Sequence, residues 1–265
     1  MKRILSALIL TIVCSVNLHA QNPEGKLFTS FDRTKIYYEV KGTGFPVILL
    51  HGFTGTSQGW KHGSLYPALI DAGYQVIILD QRGNGLSGKP HTDAGYSNDA
   101  EAKDVMALAT SLGLKRYSVV GYSRGSIITS RLIVLDKRIN KAVMGGMGAD
   151  YTNPEWPRRI HAYKALMGDT TMHDVDEMMV WIHKNKFDNL ALAYQQKHQP
   201  STSPKELAAV KIPVLLIDGT EDTTNGDVTV LQKMIPGSKF ATVPGNHNSA
   251  GNTIQFSVAI LNFLK

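Results

Sequence analysis

The chain has 265 residues, 43% apolar and 19% charged, with 24 Gly, 11 Pro, one Cys and a formal charge of +6. That length and composition suit a globular protein of one large or two small domains, and exclude collagen-like, coiled-coil and disordered classes. One cysteine excludes an internal disulfide, a cysteine-based zinc site and an iron–sulfur cluster. Basic residues occur in pairs (Lys137-Arg138, Arg158-Arg159) without a basic run or interleaved aromatics, so nucleic acid is not an expected partner.

The first predicted element is a targeting segment. Lys2 and Arg3 precede an apolar run from Ile4 to about Val16, and Leu18-His19-Ala20 ends it on a small residue. This is the three-part pattern of a secretory signal peptide over residues 1–20, with cleavage after Ala20. The run is shorter than the roughly 20 apolar residues of a membrane span. Bulky Ile12-Val13 before Cys14 argue against a lipoprotein anchor. The expected product is exported, to the bacterial periplasm or the medium, with no stable membrane span. Cleavage removes Cys14 and leaves a charge of about +4. Thiol chemistry is then impossible, and any side-chain nucleophile of this kind must be an oxygen.

Strand-like runs follow at Thr34–Val40, Val47–Leu50, Val76–Leu79, Ser118–Gly121, Ala142–Met144, Val214–Ile217 and Lys239–Val243. Helical patterns lie between them at Ser64–Ala72, Ala100–Leu112, Arg124–Leu135 and Thr253–Leu264. Short continuous apolar strands alternating with helices predict a mostly parallel sheet covered on both faces. The start near Leu27–Val40 reads as an antiparallel edge. From about 149 to 210 the alternation breaks. Helical patterns at Arg158–Met167, Val175–Lys184 and Asn189–Lys197 form an insertion rich in Met and aromatic residues, whose plain role is packing and whose functional role is to line a cavity.

Gly121-Tyr122-Ser123-Arg124-Gly125 is the most informative stretch. A β-rich run enters it and a helical pattern leaves it. A serine on such a turn is exposed on a strained backbone, and the flanking glycines let strand and helix approach. A serine needs a base that titrates near neutrality, which points to histidine. Of the eight histidines after the leader, His247 lies in a late loop, Pro244–Asn248, before the last helix. His51 is the nearest competitor. No His-Glu-x-x-His or similar spacing predicts a metal site, and the serine scheme needs no cofactor.

With these motifs the chain resembles the α/β-hydrolase superfamily, in particular its serine esterase-like members with a helical cap. His51-Gly52-Phe53 after one strand is similar to the family's oxyanion loop. Asp80-Gln81-Arg82-Gly83-Asn84-Gly85-Leu86-Ser87 after the next matches its Asp-x-Arg-Gly-x-Gly-x-Ser segment. The resemblance implies an eight-stranded α/β core over 21–148 and 211–265 with a cap insertion at 149–210. It implies Ser123 as nucleophile, His247 as base and Asp222, in Gly219-Thr220-Glu221-Asp222, as the acid. Asp150 is the rival acid, since some members carry theirs after the preceding strand. Backbone N–H groups of Phe53 and Arg124 would form the oxyanion hole. His51 would shape the oxyanion loop, and Asp80 and Arg82 would brace loops. The Arg124 side chain is expected to pair with Asp150 or Glu155, or to meet an anionic substrate.

The function that follows is secreted hydrolysis of an ester or related acyl bond in a small to medium substrate. Aminopeptidase, thioesterase, lactonase and cofactor-free peroxidase remain as alternatives, because one fold hosts many chemistries. A hydrolase-like ligand-binding protein is the reading from another class. Serine at the nucleophile position disfavours the aspartate-nucleophile dehalogenases and epoxide hydrolases.

Overall fold

The structure is a computed structural model that describes residues 25–265. The leader expected over 1–20, with Cys14, lies outside them. Among the described residues eight strands form one sheet: β1 (Lys26–Thr29), β2 (Lys35–Lys41), β3 (Pro46–Leu50), β4 (Gln75–Leu79), β5 (Tyr117–Tyr122), β6 (Ile139–Gly145), β7 (Val214–Gly219) and β8 (Lys239–Val243). Their order is β1-β2-β4-β3-β5-β6-β7-β8. β2 runs antiparallel to both neighbours, and every pairing from β4 to β8 is parallel. The antiparallel edge and the parallel centre are those the sequence predicts.

Among the described residues ten α-helices accompany the sheet: α1 (Ser57–His62), α2 (Leu65–Asp71), α3 (Ala100–Ser111), α4 (Arg124–Leu135), α5 (Pro157–Leu166), α6 (Asp176–Lys184), α7 (Asn189–Lys197), α8 (Pro204–Ala208), α9 (Val228–Met234) and α10 (Ile254–Leu264). Successive strand residues face opposite ways, so a strand with helices on both sides is apolar throughout. In β3, Ile48 and Leu50 join a core with Val105 of α3, Ile128 of α4 and Leu231 of α9. Val47 and Leu49 join the opposite core with Leu69 of α2 and Phe256 and Ile260 of α10. Burying each such side chain stabilises the fold by roughly 1.5–3 kcal/mol. The result is a rigid platform with the carboxyl ends of the parallel strands on one rim, where α/β sheets place their sites.

Helices α5 to α8 lie between β6 and β7. Leu166, Ile182, Leu192 and Ala193 make a separate small core there, against which Met178 and Phe53 pack. Phe53 comes from the loop after β3, so it ties that loop to the inserted helices. The ends of the insertion belong elsewhere: Tyr151, Trp156, Leu207 and Val210 pack into the main core. Short α1, α8 and α9 carry no periodic signal strong enough to be read from sequence. α8 is held by a capping box, in which Ser203 accepts from the Glu206 amide and the Glu206 carboxylate accepts from the Ser203 amide. Among the described residues no helix is long and apolar enough to cross a membrane.

Candidate active site

β5 delivers Ser123 to the turn before α4. Its backbone stands at φ 54° and ψ −121°, a left-sided conformation rarely adopted by a residue with a side chain. Such strain costs about 1–3 kcal/mol and survives only where the surroundings impose it. Here the surroundings are close backbone contacts. A Cβ on Gly121 would lie 2.2 Å from the Gly125 carbonyl oxygen, and one on Gly125 would lie 2.0 Å from that of Leu50. The Ser123 amide donates to the Gly145 carbonyl (2.8 Å), and the Ser126 hydroxyl lies 3.0 and 2.8 Å from the carbonyl oxygens of Gly121 and Gly145. The turn is thereby fastened to both β5 and β6.

Residues far apart in sequence meet at this serine. The Ser123 hydroxyl is 2.9 Å from His247 Nε2, and His247 Nδ1 is 2.7 Å from Asp222 Oδ2. Burial raises the Asp222 pKa, but hydrogen bonds from His247 and from the Thr224 amide (3.0 Å) outweigh it and hold the carboxyl below its ordinary value. Ionised Asp222 can only accept a hydrogen bond, so Nδ1 carries the hydrogen and donates it, and Nε2 has the free lone pair facing Ser123. The Asp222 side chain is 3% exposed and that of His247 19%, so the acid is sealed while the imidazole reaches the cavity.

Asp150 takes another place. It opens a short 3-10 turn after β6 and its carboxylate lies against Gly226, with no hydrogen bond to His247 among the described residues. Asp218, at the end of β7, is pushed up to about 7 by burial first and then by the charge of neighbouring Asp222.

The expectation for the Arg124 side chain requires correction. It is buried and pairs with Glu101 of α3, through Nη2 to Oε2 (2.5 Å) and Nε to Oε1 (3.1 Å), and it also donates to the Gln195 carbonyl (2.8 Å). Neither Asp150 nor Glu155 is its partner. Glu101 is nearest because α3 packs on α4, a contact with no sequence signal. The Phe53 and Arg124 amides, the expected oxyanion donors, have no protein acceptor among the described residues.

His51 is buried with both ring nitrogens committed. Nε2 accepts from the Gln81 amide (3.0 Å), so Nδ1 carries the proton and donates to the Gly52 carbonyl (2.7 Å). Burial lowers its pKa, which fits a neutral ring that shapes the loop. Asp80 accepts from the Ser57 and Leu86 amides, both at 2.7 Å. Arg82 is fully buried and forks onto Asp104 with two bonds of 2.6 Å. Both are loop braces.

Sequence reasoning missed two residues beside the imidazole. The Tyr122 hydroxyl donates to the His247 carbonyl (2.7 Å), and its ring lies 5.6 Å from the imidazole. The Asn225 amide nitrogen lies 3.4 Å from His247 Nδ1 and donates to the Gly146 carbonyl (3.1 Å). Tyr122 sits inside the Gly-x-Ser pattern, so its position was visible although its role was not. Over the serine lies a cavity of about 80 Å³, bounded by Phe53, Ser123, Trp156, Met178, Asn225 and His247 among others. Among the described residues no cluster of three or more His, Cys, Asp or Glu is arranged for a metal ion.

The profile of the alpha/beta hydrolase fold family matches residues 46–177. A non-heme haloperoxidase from Rhodococcus erythropolis is 34% identical over 134 residues, which cover 48% of this chain and 47% of that protein. The matched segment thus spans less than half the length of the first curated relatives. Solved structures match more fully. A hydrolase from Pseudomonas aeruginosa PA01 aligns with a TM-score of 0.78 at 21% identity, covering 92% of this chain and 99% of that one. A bromoperoxidase from Bacillus anthracis aligns at 0.71 and 27% identity, covering 91% and 99%. The chain belongs to the α/β-hydrolase superfamily, with a helical cap over its site.

Proposed function

We propose that the chain is a serine hydrolase that cleaves an ester or related acyl bond of a small substrate through Ser123, His247 and Asp222. The observation that carries this reading is the continuous relay from the Ser123 hydroxyl through the imidazole to a sealed, ionised Asp222. Ser123 attacks the carbonyl carbon while Nε2 takes its proton. Asp222 holds the tautomer and stabilises the imidazolium. The Phe53 and Arg124 amides receive the developing oxyanion, where charge stabilisation acts on the transition state. Nε2 returns the proton to the leaving group, and water activated by the same imidazole releases the acyl group. The lining mixes apolar side chains such as Phe53, Trp156 and Met178 with polar and charged ones, and its small volume of about 80 Å³ favours a small acyl or alcohol portion. With the leader expected over residues 1–20, this activity is proposed to lie outside the cytoplasmic membrane.

A second reading is supported by the haloperoxidase and bromoperoxidase among the similar proteins. Hydrogen peroxide would replace water as the nucleophile on the acyl-enzyme and release a peracid, with Ser123 regenerated and no cofactor. One experiment addresses both. Esters varied in acyl and alcohol size are offered with and without peroxide, to the native protein and to Ser123→Ala. Hydrolysis lost in the variant supports the first reading. Peracid formation that outpaces hydrolysis, and is lost in the same variant, supports the second. Full activity in Ser123→Ala contradicts both.

A further inference from the structure

Among the described residues, three guanidinium groups and no carboxylate line the cavity over Ser123: Arg124, Arg158 and Arg159. Their charges are not equally compensated. Arg124 is neutralised by Glu101 at 2.5 Å. Arg159 is half-buried and among the described residues donates only to carbonyl oxygens, those of Pro154 (2.6 Å), Gln196 (2.8 Å) and Lys197 (3.3 Å). The last two belong to the carboxyl end of α7, whose dipole offsets a fraction of one charge. Burial lowers the Arg159 pKa, Glu155 counters this, and the charge of Arg124 lowers it further. Arg158 is exposed at the cavity wall and makes no ion pair within 4.0 Å among the described residues. The Asp174 pKa, held below its ordinary value first by the hydrogen bond with His161 at 2.9 Å, is also lowered slightly by the charge of Arg158, but Asp174 makes no ion pair with Arg158 among the described residues.

A cavity wall with surplus positive charge, partly removed from water, selects for a negative group. A guanidinium presents a planar fork that matches a carboxylate. We propose that Arg158 and Arg159 of α5 bind a carboxylate carried by the substrate, so that the preferred substrates are small acyl compounds bearing a second, anionic end. This rests on the acyl-transfer reading of Ser123, and it transfers to the cap the anion-binding role that Glu101 denies to Arg124. The cap then contributes charge selection as well as apolar cover.

The test pairs monomethyl succinate with methyl butyrate as substrates, and succinate with succinamide as unreactive ligands of Ser123→Ala. The native protein is expected to favour monomethyl succinate in kcat/KM. That preference should fall at least tenfold in Arg158→Gln and in Arg159→Gln, and recover in part in the lysine variants. Lys184→Gln, an exposed change on α6 away from the cavity lining, should leave the preference unaltered. Arg158 shares none of the carbonyl bonds of Arg159, so its variant keeps the test valid if the Arg159 variant loosens the cap. By calorimetry, succinate should bind Ser123→Ala at least tenfold more tightly than the same protein carrying Arg158→Gln and Arg159→Gln, with succinamide failing to discriminate. Arginine-dependent succinate binding without ester hydrolysis would uphold the anion site and overturn the reaction. Hydrolysis of both esters with no preference, or a preference unchanged in both glutamine variants, would overturn the anion site.

Discussion

The Tyr122 hydroxyl donates to the backbone carbonyl of His247 at 2.7 Å, so the residue before the candidate nucleophile anchors the loop that holds the candidate base. Its ring occupies a notch where side chains are missing: a Cβ on Gly145, Gly146 or Gly251 would lie 2.8–3.0 Å from it. Edge-on contact with Phe256 of α10 fixes the ring from the other side, at 5.7 Å between centroids. One side chain thus couples the β5 turn, the β6 end and the β8–α10 loop.

Removing only that hydroxyl tests the coupling. Tyr122→Phe keeps the ring and loosens the loop, and small misplacements of a reacting group are costly. The expected result is a roughly tenfold fall in kcat with KM little changed. Steady-state kinetics on one ester checks it. An unaltered kcat would show that the loop holds His247 without this bond.

The choice of acid is testable by comparison. Asp222→Asn should leave the geometry in place but favour the wrong imidazole tautomer, with a fall in kcat of about 10⁴ by analogy with other triads. Asp150→Asn should change kcat by less than about twofold, in line with surface changes elsewhere. A larger loss from Asp150→Asn than from Asp222→Asn would reverse the assignment.

Asp218 makes stability depend on pH. Its folded pKa is raised to about 7 from the ordinary 3.8, by burial and then by Asp222. The folded state therefore holds a proton that the unfolded chain gives up above about pH 4. The stability this represents is present at low pH and is lost as pH rises through 7. Asp218→Asn cannot ionise, so its Tm relative to the native protein should climb between pH 4 and 7 and level off above. Thermal melts across that range decide it, and a Tm difference independent of pH would contradict the burial argument.

The Arg82–Asp104 pair should be structural. Arg82 is fully buried, and Asp104 is 2% exposed and also takes a hydrogen bond from Ser30. Deleting one partner leaves a charge stranded in the interior, at a cost of roughly 3–5 kcal/mol. Asp104→Ala should lose stability in this range by urea titration, toward its lower end because Arg82 also bonds Asp32 at 2.8 Å. A change below about 1 kcal/mol would mean the pair adds little.

Much of the sheet was legible because its central strands are short apolar runs, a pattern that burial on both faces requires. The β5–Ser123–α4 turn was legible because its glycines are steric necessities, with less than 2.5 Å available to a side chain at Gly121 and Gly125. Contacts between helices were not legible. Glu101 lies in an ordinary amphipathic helix, and only the packing of α3 on α4 brings it to Arg124. Asn225 lies in an irregular loop whose path no periodicity records, yet it ends beside His247. Local geometry is written in residue type, whereas pairing between distant elements is decided by the assembled fold.

The proposed activation of Ser123 by His247 makes that serine reactive toward a fluorophosphonate. It is tested most directly by the intact mass of the protein after reaction with a fluorophosphonate, followed by peptide mapping. A single adduct on Ser123 is predicted, absent in Ser123→Ala and formed at least 100-fold more slowly in His247→Ala, within the range expected for loss of a general base. No adduct on the native protein, or an adduct at another residue that persists in Ser123→Ala, would contradict it.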